Sequence, residues 1–388
     1  PSRSAAGMAF DGRYLWIADR LKDRLHVVHP PTGEVLFSVP SPGPHPTGLA
    51  FDGTALWVAD YQTDRIYRLE HAGDGKPVRE KVREQEVVYT HQLRNLGPGT
   101  LTRADIALAI PGDGPSQRLR GAPQFSPTPS RRVRDQWDQP VGLFRFRDLP
   151  AGRFATVTMR VRAALYDVRH MVYPHRVGSL RAIPAAIRRR YLRDGSKYRI
   201  RSKAIRRAVR RAVGKERNPY WIARRIYAHV HKQMFYKLSG GWNVAPRVLE
   251  RGNGSCSEYS FVFIAMCRAA GVPARYAGAL VVRKDDASYD DVFHRWVEIY
   301  LPGHGWLPVD PSRGDKKGQA RRGDAFGHLE GVFLITTRGG GGSSMLGWRY
   351  NSNERWTCRG RCRVELETIA EWSPAPGSAG STAGTPSR

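Results

Sequence analysis

The stretch Gly252 to Arg275 reads GNGSCSEYSFVFIAMCRAAGVPAR, and it sets Cys256 between a flexible Gly-Asn-Gly-Ser run and an amphipathic, largely buried helix. Gly271 closes that helix as its C′ residue and Pro273 follows. A cysteine at a helix start lies at the positive end of the helix dipole, beside N–H groups with no intrahelical partner. Both features favour thiolate over thiol, and a thiolate is a strong nucleophile near neutral pH. The same N–H groups can bind an oxyanion that forms next to the sulfur. A cysteine nucleophile also needs a base. The segment DVFHRWVEIYLPGHGWLPVDPS offers His294 on an alternating strand, Phe293 to Leu301, and Asp310 at the end of a partner strand, after a Pro-Gly-His-Gly turn. Counting eight-residue arms from that turn brings His294 opposite Asp310, where the carboxylate would hold the imidazole in the useful tautomer. A lone cysteine at a helix start is more often structural, and a lone histidine before tryptophan more often belongs to a core. The three residues in this order point to nucleophilic chemistry.

Other reactive side chains read differently. Cys267 lies three turns into the same helix and is expected to be buried and inert. His229 and His231 have no evident third ligand and read as surface or packing residues, and His304 sits in the turn. The acidic run RKDDASYDD before His294 lacks the Asp-x-Asp-x-Asp-Gly pattern of a calcium loop and reads as a flexible flap. No cysteine pair has zinc-finger spacing with nearby histidines, so neither a metal nor any other cofactor is expected. Cys358 and Cys362 in TCRGRC would lie roughly 13 Å apart in a straight strand. A turn at Gly360 would let them form a small hairpin disulfide, which would favour an oxidising compartment.

Several elements must position these residues, and 388 residues are enough for two or three domains. GMAFDGRYLWIADRLKDRLHVV from Gly7 repeats as GLAFDGTALWVADYQTDRIYRL from Gly48. Short alternating strands with Asp-Gly turns at a period near 40 are the signature of propeller blades. The repeats resemble NHL/SMP-30-like propeller units. Only two are present, which implies a partial β-propeller over 1–72, either truncated or packed as a remnant on the next domain. After a polar linker, strand-like runs separated by Pro/Gly/Ser-rich loops over 81–170 suggest an immunoglobulin-like β-sandwich. Residues 176–217 hold 16 lysines and arginines against Asp194 and Glu216. Ile205, Val209 and Val213 give that segment an amphipathic helix with a basic outer face. Asn218 and Pro219 then cap and start a helix whose buried stripe is Ile222, Ile226 and Val230. A Pro/Gly/Ser/Ala-rich tail, 373–388, is expected to be disordered.

GNGSCSEYSFVFIAMCRAAGVPAR followed by HRWVEIYLPGHGWLPVDPS resembles the transglutaminase-like core of bacterial proteins. The upstream NPYWIARRIYAHV and APRVLERGNGSC resemble the helices before that family's nucleophile. The resemblance covers roughly Lys81 to Trp372, with its catalytic core at 176–372. It implies an α+β fold with a papain-like transglutaminase core, preceded by the β-sandwich and the partial propeller. Cys256 would be the nucleophile, His294 the general base and then acid, and Asp310 the residue that orients His294. The Cys256 N–H would contribute to the oxyanion hole, while the second donor is not identified. Trp242 is expected to pack rather than line the cleft.

The implied reaction is acyl transfer at amide bonds of proteins or peptides through a thioester. Water as acceptor makes a peptidase or amidase, the expected case. A lysine-type amine makes a cross-linking glutamyltransferase. A catalytically inactive scaffold on an anionic surface is the alternative from another class. The net charge of +28 and the basic segment 176–217 suit an anionic surface or polymer, although such a bias is most often a solvated face. Aromatic interleaving is too sparse for nucleic acid to be expected. No window approaches 18 consecutive apolar residues, so no spanning helix is expected. The chain starts at Pro1 with no leader, consistent with a removed signal peptide or a fragment, and the location leans extracytoplasmic.

Overall fold

The computed structural model describes residues 4–70, 77–238, 242–282, 288–315 and 318–375. Residues 283–287 of the expected flap and 376–388 of the expected tail lie outside the described residues. Seven short strands come first: β1 (Ala5–Phe10), β2 (Leu15–Asp19), β3 (Arg24–His29), β4 (Glu34–Pro40), β5 (Pro46–Phe51), β6 (Leu56–Asp60) and β7 (Arg65–Leu69). Then come the long β8 (Val78–Ala109), β9 (Gln117–Leu119), β10 (Gln124–Ser126), β11 (Arg131–Arg134), β12 (Pro140–Leu149) and β13 (Phe154–Arg169). The helical region holds α1 (Ala185–Tyr191), α2 (Lys203–Val213), α3 (Pro219–Gln233), β14 (Phe235–Tyr236), α4 (Ala245–Arg251), β15 (Asn253–Gly254) and α5 (Cys256–Ala269). It is followed by β16 (Ala274–Val281), β17 (Ser288–Asp290), β18 (His294–Leu301), β19 (Gly305–Val309), α6 (Gln319–Asp324), β20 (His328–Leu329), β21 (Phe333–Gly339) and β22 (Ser352–Pro374). The chain folds as two compact units. One takes the stretch up to Val78, Val168–Tyr276 and Arg295–Leu329, and the other takes Arg79–Asp167, Ala277–His294 and the stretch from Glu330.

In the first unit the two sequence repeats become two antiparallel meanders, β1-β2-β3-β4 and β5-β6-β7. Their shared residues do the same work in each. Asp11 Oδ1 accepts from the Arg13 and Tyr14 N–H groups and its Oδ2 from the Trp16 indole (2.8 Å). Asp52 does so for Thr54, Ala55 and the Trp57 indole (2.7 Å). Gly7 is glycine because a Cβ there would stand 2.8 Å from the Leu49 nitrogen, where the repeats touch. Four strands and three strands do not close a propeller. The first meander instead packs on the helical region: Tyr14 Oη bonds His175 Nδ1 at 2.7 Å, and His29 lies 4.6 Å from the Trp221 ring.

The helices begin where their caps put them. Ser202 caps α2 through the Ile205 N–H, and Asn218 caps α3 through those of Tyr220 and Trp221. On α2, Ile205, Ala208 and Val213 are buried, and Arg206, Arg207, Arg210 and Arg211 point out. Helix α5 departs from the amphipathic expectation: every residue from Cys256 to Arg268 is buried, which makes it the unit's central helix. The strands β19, β18 and β16 are neighbours in that order, and Ser260 Oγ on α5 lies 3.5 Å from the Arg295 carbonyl of β18. Residues 295–299 of β18 are all buried, so both faces of the strand are covered and the expected alternation is lost.

In the second unit the expected sandwich at 81–170 is not built. β8 is the spine of a single nine-stranded, curled sheet, paired with β12, β13 and β22. The Asn-Leu-Gly-Pro-Gly stretch reads as a turn in sequence, yet β8 runs through it. Asn95 Nδ2 donates to the Gly99 and Leu149 carbonyls (2.8 and 2.9 Å), and its Oδ1 accepts the Gly97 N–H (2.8 Å). One side chain thus supplies the partners the irregular backbone lacks. The core comprises Tyr89, Leu93, Leu101, Ile106, Phe144, Val157 and Trp372 among others. Cys358 and Cys362 are disulfide-bonded with Cα atoms 6.3 Å apart. They bracket a bulge inside β22 rather than closing a hairpin, and Gly360 at φ +78° makes the bend.

Candidate active site

Cys256 is the first residue of α5 and is 7% exposed. The chain reaches it through a constrained approach. Gly252 ends α4 in the left-handed region (φ 75°). Residues Asn253 and Gly254 then run parallel to Phe235 and Tyr236, with Phe235 N donating to Gly252 O and Lys237 N to Gly254 O. A Cβ on Gly254 would meet the Glu258 Cβ at 2.8 Å, so only glycine fits.

Glu258 is the clamp of this approach. Its carboxylate is fully buried. Oε1 accepts the Asn243 N–H (3.0 Å), and Oε2 accepts the Ser255 N–H (3.4 Å) and an Arg251 guanidinium nitrogen (2.7 Å). One side chain therefore ties the segments before, at and after the turn into the cysteine. At the other side, Ser260 Oγ donates to the Cys256 carbonyl at 2.8 Å. Sequence reasoning passed over Glu258, although Ser255-Cys-Ser-Glu258 has the spacing of a capping box ahead of an apolar run.

Asp310 follows β19 directly. Its Oδ1 accepts from Ser312 N (3.0 Å), Ser312 Oγ (2.7 Å) and Arg313 N (3.0 Å), and its own N–H donates to Ala325 O. These bonds fix the carboxylate's direction. The β18–β19 ladder closes at Leu301 and Gly305 and runs to Val297 and Val309. Continued by one pair, that register sets Asp310 across from Trp296, so the expected pairing of His294 with Asp310 is two residues out. The turn is Pro302-Gly303-His304, with Gly303 and Gly305 at φ +86° and +83°, so its centre is Gly303 rather than Pro302.

Tyr236, absent from the sequence-based set, links two of the three candidates. Its phenol pKa is raised, first by burial and then by the negative charges of Cys256 and Asp310. The Tyr236 ring is also 6.4 Å from that of Tyr259 on α5. Phe235, Leu238 and Trp242 are exposed as well. Trp242 packs 6.4 Å from Phe261, as expected, and the buried Arg295 guanidinium sits 4.8 Å over its ring.

His294 begins β18 and is the last residue that the second unit takes before Arg295. Its half-buried ring stacks on Phe333, centroids 5.5 Å apart at 24°. Cys267 is fully buried and its thiol pKa is pushed far up by that burial, which makes it inert. His231 hands Nε2 to the Pro311 carbonyl at 2.7 Å and so braces the backbone beside Asp310.

A buried helix opens on Cys256 and is followed by an antiparallel strand pair, with His294 at the start of β18 and Asp310 just after β19. Residues 206–311 match the Transglutaminase-like superfamily, a span that holds Cys256, His294 and Asp310. Over 98 residues the chain is 33% identical to the protein-glutamine gamma-glutamyltransferase of Pseudomonas aeruginosa, covering 21% of this chain and 14% of that protein. Over 121 residues it is 31% identical to an uncharacterized protein of Haemophilus influenzae, covering 25% of this chain and 33% of that one. The chain thus spans a third or less of the length of these curated relatives. Among solved structures it resembles a candidate cysteine protease from Cytophaga hutchinsonii with a TM-score of 0.53 at 12% identity, over 76% of this chain and 99% of that one. That likeness is one of fold.

Proposed function

We propose that this protein is a cysteine acyltransferase acting on amide bonds of proteins or peptides, and that its acceptor is water. Cys256 is the nucleophile, His294 the base and acid, and Asp310 the residue that orients the imidazole. The Cys256 thiolate attacks the amide carbonyl while the proton it gave up rests on His294. The C–N bond breaks, His294 protonates the departing amine, and a thioester remains. Water then attacks the thioester with His294 as base, releasing the carboxylic acid and restoring the thiol. The Cys256 N–H at the start of α5 and the Tyr236 hydroxyl border the reacting carbonyl and stabilise its oxyanion. The observation that carries this reading is Cys256 standing as the first residue of the buried helix α5, inside the stretch that matches the Transglutaminase-like superfamily.

A cross-linking activity is the second reading. The identity to the Pseudomonas glutamyltransferase favours it, and the two differ in whether an amine displaces water at the thioester. The exposed arginines of α2 suit attachment of either enzyme to an anionic surface. The disulfide between Cys358 and Cys362 favours an extracytoplasmic location. Among the described residues no helix is long and apolar enough to cross a membrane.

The deciding experiment follows alkylation of Cys256 against pH, by peptide mass mapping, in wild type and in His294→Ala. Labelling that is fast well below pH 8.5, the ordinary thiol range, and slowed by the histidine change is the expected result. Ordinary thiol behaviour in both proteins would remove the pair, and the inactive scaffold would become the better account. Peptide hydrolysis and amine incorporation, each compared with Cys256→Ala, then separate the two acceptors.

A further inference from the structure

The Cys358–Cys362 disulfide takes no part in the proposed acyl transfer, and its surroundings are not those of a buried crosslink. Among the described residues, β22 pairs there with β8 alone, since its pairing with β17 lies further on, at Ala370–Trp372. Cys358 is exposed, whereas Cys362 is half-buried and packs against the core of the sheet. An incoming thiolate therefore meets the Cys358 sulfur, and Cys362 is the leaving group. Arg359, Arg361 and Arg363 each adjoin one of the two cysteines and are exposed. Among the described residues none of the three is ion-paired, and the neighbouring Glu365 carboxylate lies 3.7 Å from Arg94 instead. Guanidinium groups beside a cysteine favour its thiolate, and a thiol of lowered pKa leaves faster. The same charges draw in an anionic attacker. Cys358 pairs with Leu101 and Cys362 with Pro98, one on each side of the bulge, with their Cα atoms 6.3 Å apart. Gly99 lies against that bulge, where a Cβ would stand 2.5 Å from the Arg359 carbonyl. Opening the S–S bond thus needs no strand to leave the sheet, and the two sulfurs stay within reach for reclosure. We propose that this disulfide is an exchange site for low-molecular-weight thiols that carry carboxylate groups. The small thiolate attacks Cys358 Sγ, the bond to Cys362 breaks, and its electron pair passes to Cys362 Sγ, leaving a mixed disulfide and a thiolate. A second small thiolate attacks the small-molecule sulfur of that mixed disulfide, releasing a small-molecule disulfide and the Cys358 thiolate. Two thiols are oxidised and one protein disulfide is reduced. Attack by Cys362 on Cys358 Sγ instead restores the starting bond.

The test exposes the folded full chain, at low ionic strength, to 3-mercaptopropionate and to cysteamine, an anionic and a cationic thiol. Samples are quenched with acid, freed thiols are alkylated, and peptide mass mapping reads which cysteine carries the small thiol. The expected result is the adduct on Cys358 and the alkyl group on Cys362, in protein that keeps its circular dichroism spectrum. The ratio of the anionic to the cationic rate, each taken per thiolate, is expected to fall about tenfold in Arg359→Gln/Arg361→Gln and to shrink in wild type as chloride is added. Arg359→Lys/Arg361→Lys keeps the charge and should keep the ratio. The control Arg131→Gln/Arg132→Gln makes the same change in net charge at exposed positions of β11 and should leave the ratio unchanged. A disulfide that resists both thiols until urea unfolds the chain overturns the proposal. So does a ratio that Arg359→Gln/Arg361→Gln leaves unchanged, or that the control lowers equally, since that would reduce the effect to overall charge.

Discussion

Tyr236 and Glu258 are side chains on the approach to Cys256 that would take no covalent part in the proposed chemistry. Glu258 is a buried carboxylate that costs solvation energy, and the cost is offset by three donors drawn from three chain segments. Its function is positional: it sets where α5 begins and so where the sulfur sits. Tyr236 is different, because it is 44% exposed and its phenol pKa is raised first by burial and then by Cys256 and Asp310. Tyr236→Phe removes one oxygen from a partly solvated position and should change the melting temperature little. If the hydroxyl borders the oxyanion, single-turnover acylation should fall about a hundredfold, as for loss of a single oxyanion donor. An unchanged acylation rate would remove Tyr236 from the reading. Cys256, His294 and Asp310 are proposed from their order and spacing, which are local facts of sequence. Tyr236 was not singled out in the sequence, because its two-residue parallel pairing with Asn253 and Gly254 is too short to leave a periodic trace.

At the scale of elements, the helices were the readable part. Ser202, Asn218 and Gly271 act as the cap and stop residues that their types suggest. The strands were harder, for two physical reasons. β18 is covered on both faces, so its pattern does not alternate, and its register hangs on whether Pro302 or Gly303 centres the turn. In β8, the Asn95 side chain carries a strand through residues that ordinarily end one. The approach to the nucleophile offers a direct check on element positioning. Gly254→Ala places a methyl group 2.8 Å from the Glu258 Cβ, and backbone must shift to admit it. A loss of about 1–3 kcal/mol is expected from the urea midpoint, together with slower Cys256 alkylation. Preserved labelling in a destabilised protein would show that the turn supports the fold without placing the sulfur.

At the scale of the whole molecule, acid should be more harmful than base. His91 in the second unit is 1% exposed, and its pKa is pushed down to about 4, first by burial and then by the nearby Arg349. The buried Glu354 lies 3.5 Å from its Nε2, yet Arg349 also bonds that carboxylate and limits what the histidine gains by charging. Because the folded pKa lies below the ordinary 6.5, the unfolded chain takes up the proton first as pH falls. Stability from this group is complete above about pH 6.5, is lost between there and about 4, and changes no further below. The loss is on the order of 3 kcal/mol. Urea unfolding at a series of pH values should show it, and His91→Gln should flatten the slope in that window. A slope unchanged by the substitution would assign the acid sensitivity elsewhere.

The ladder between β8 and β22 joins Gln85 to Pro374 and Leu108 to Ser352. On a ribosome, those partners are synthesised hundreds of residues apart. The spine strand must wait, with its edge unsatisfied, while the cysteine helix and everything after it is made. Contacts this distant in sequence slow folding, and a waiting edge invites pairing with the wrong neighbour. A nascent chain halted before residue 352 would therefore leave that edge of β8 unpaired, and the second unit should fold only after β22 has emerged.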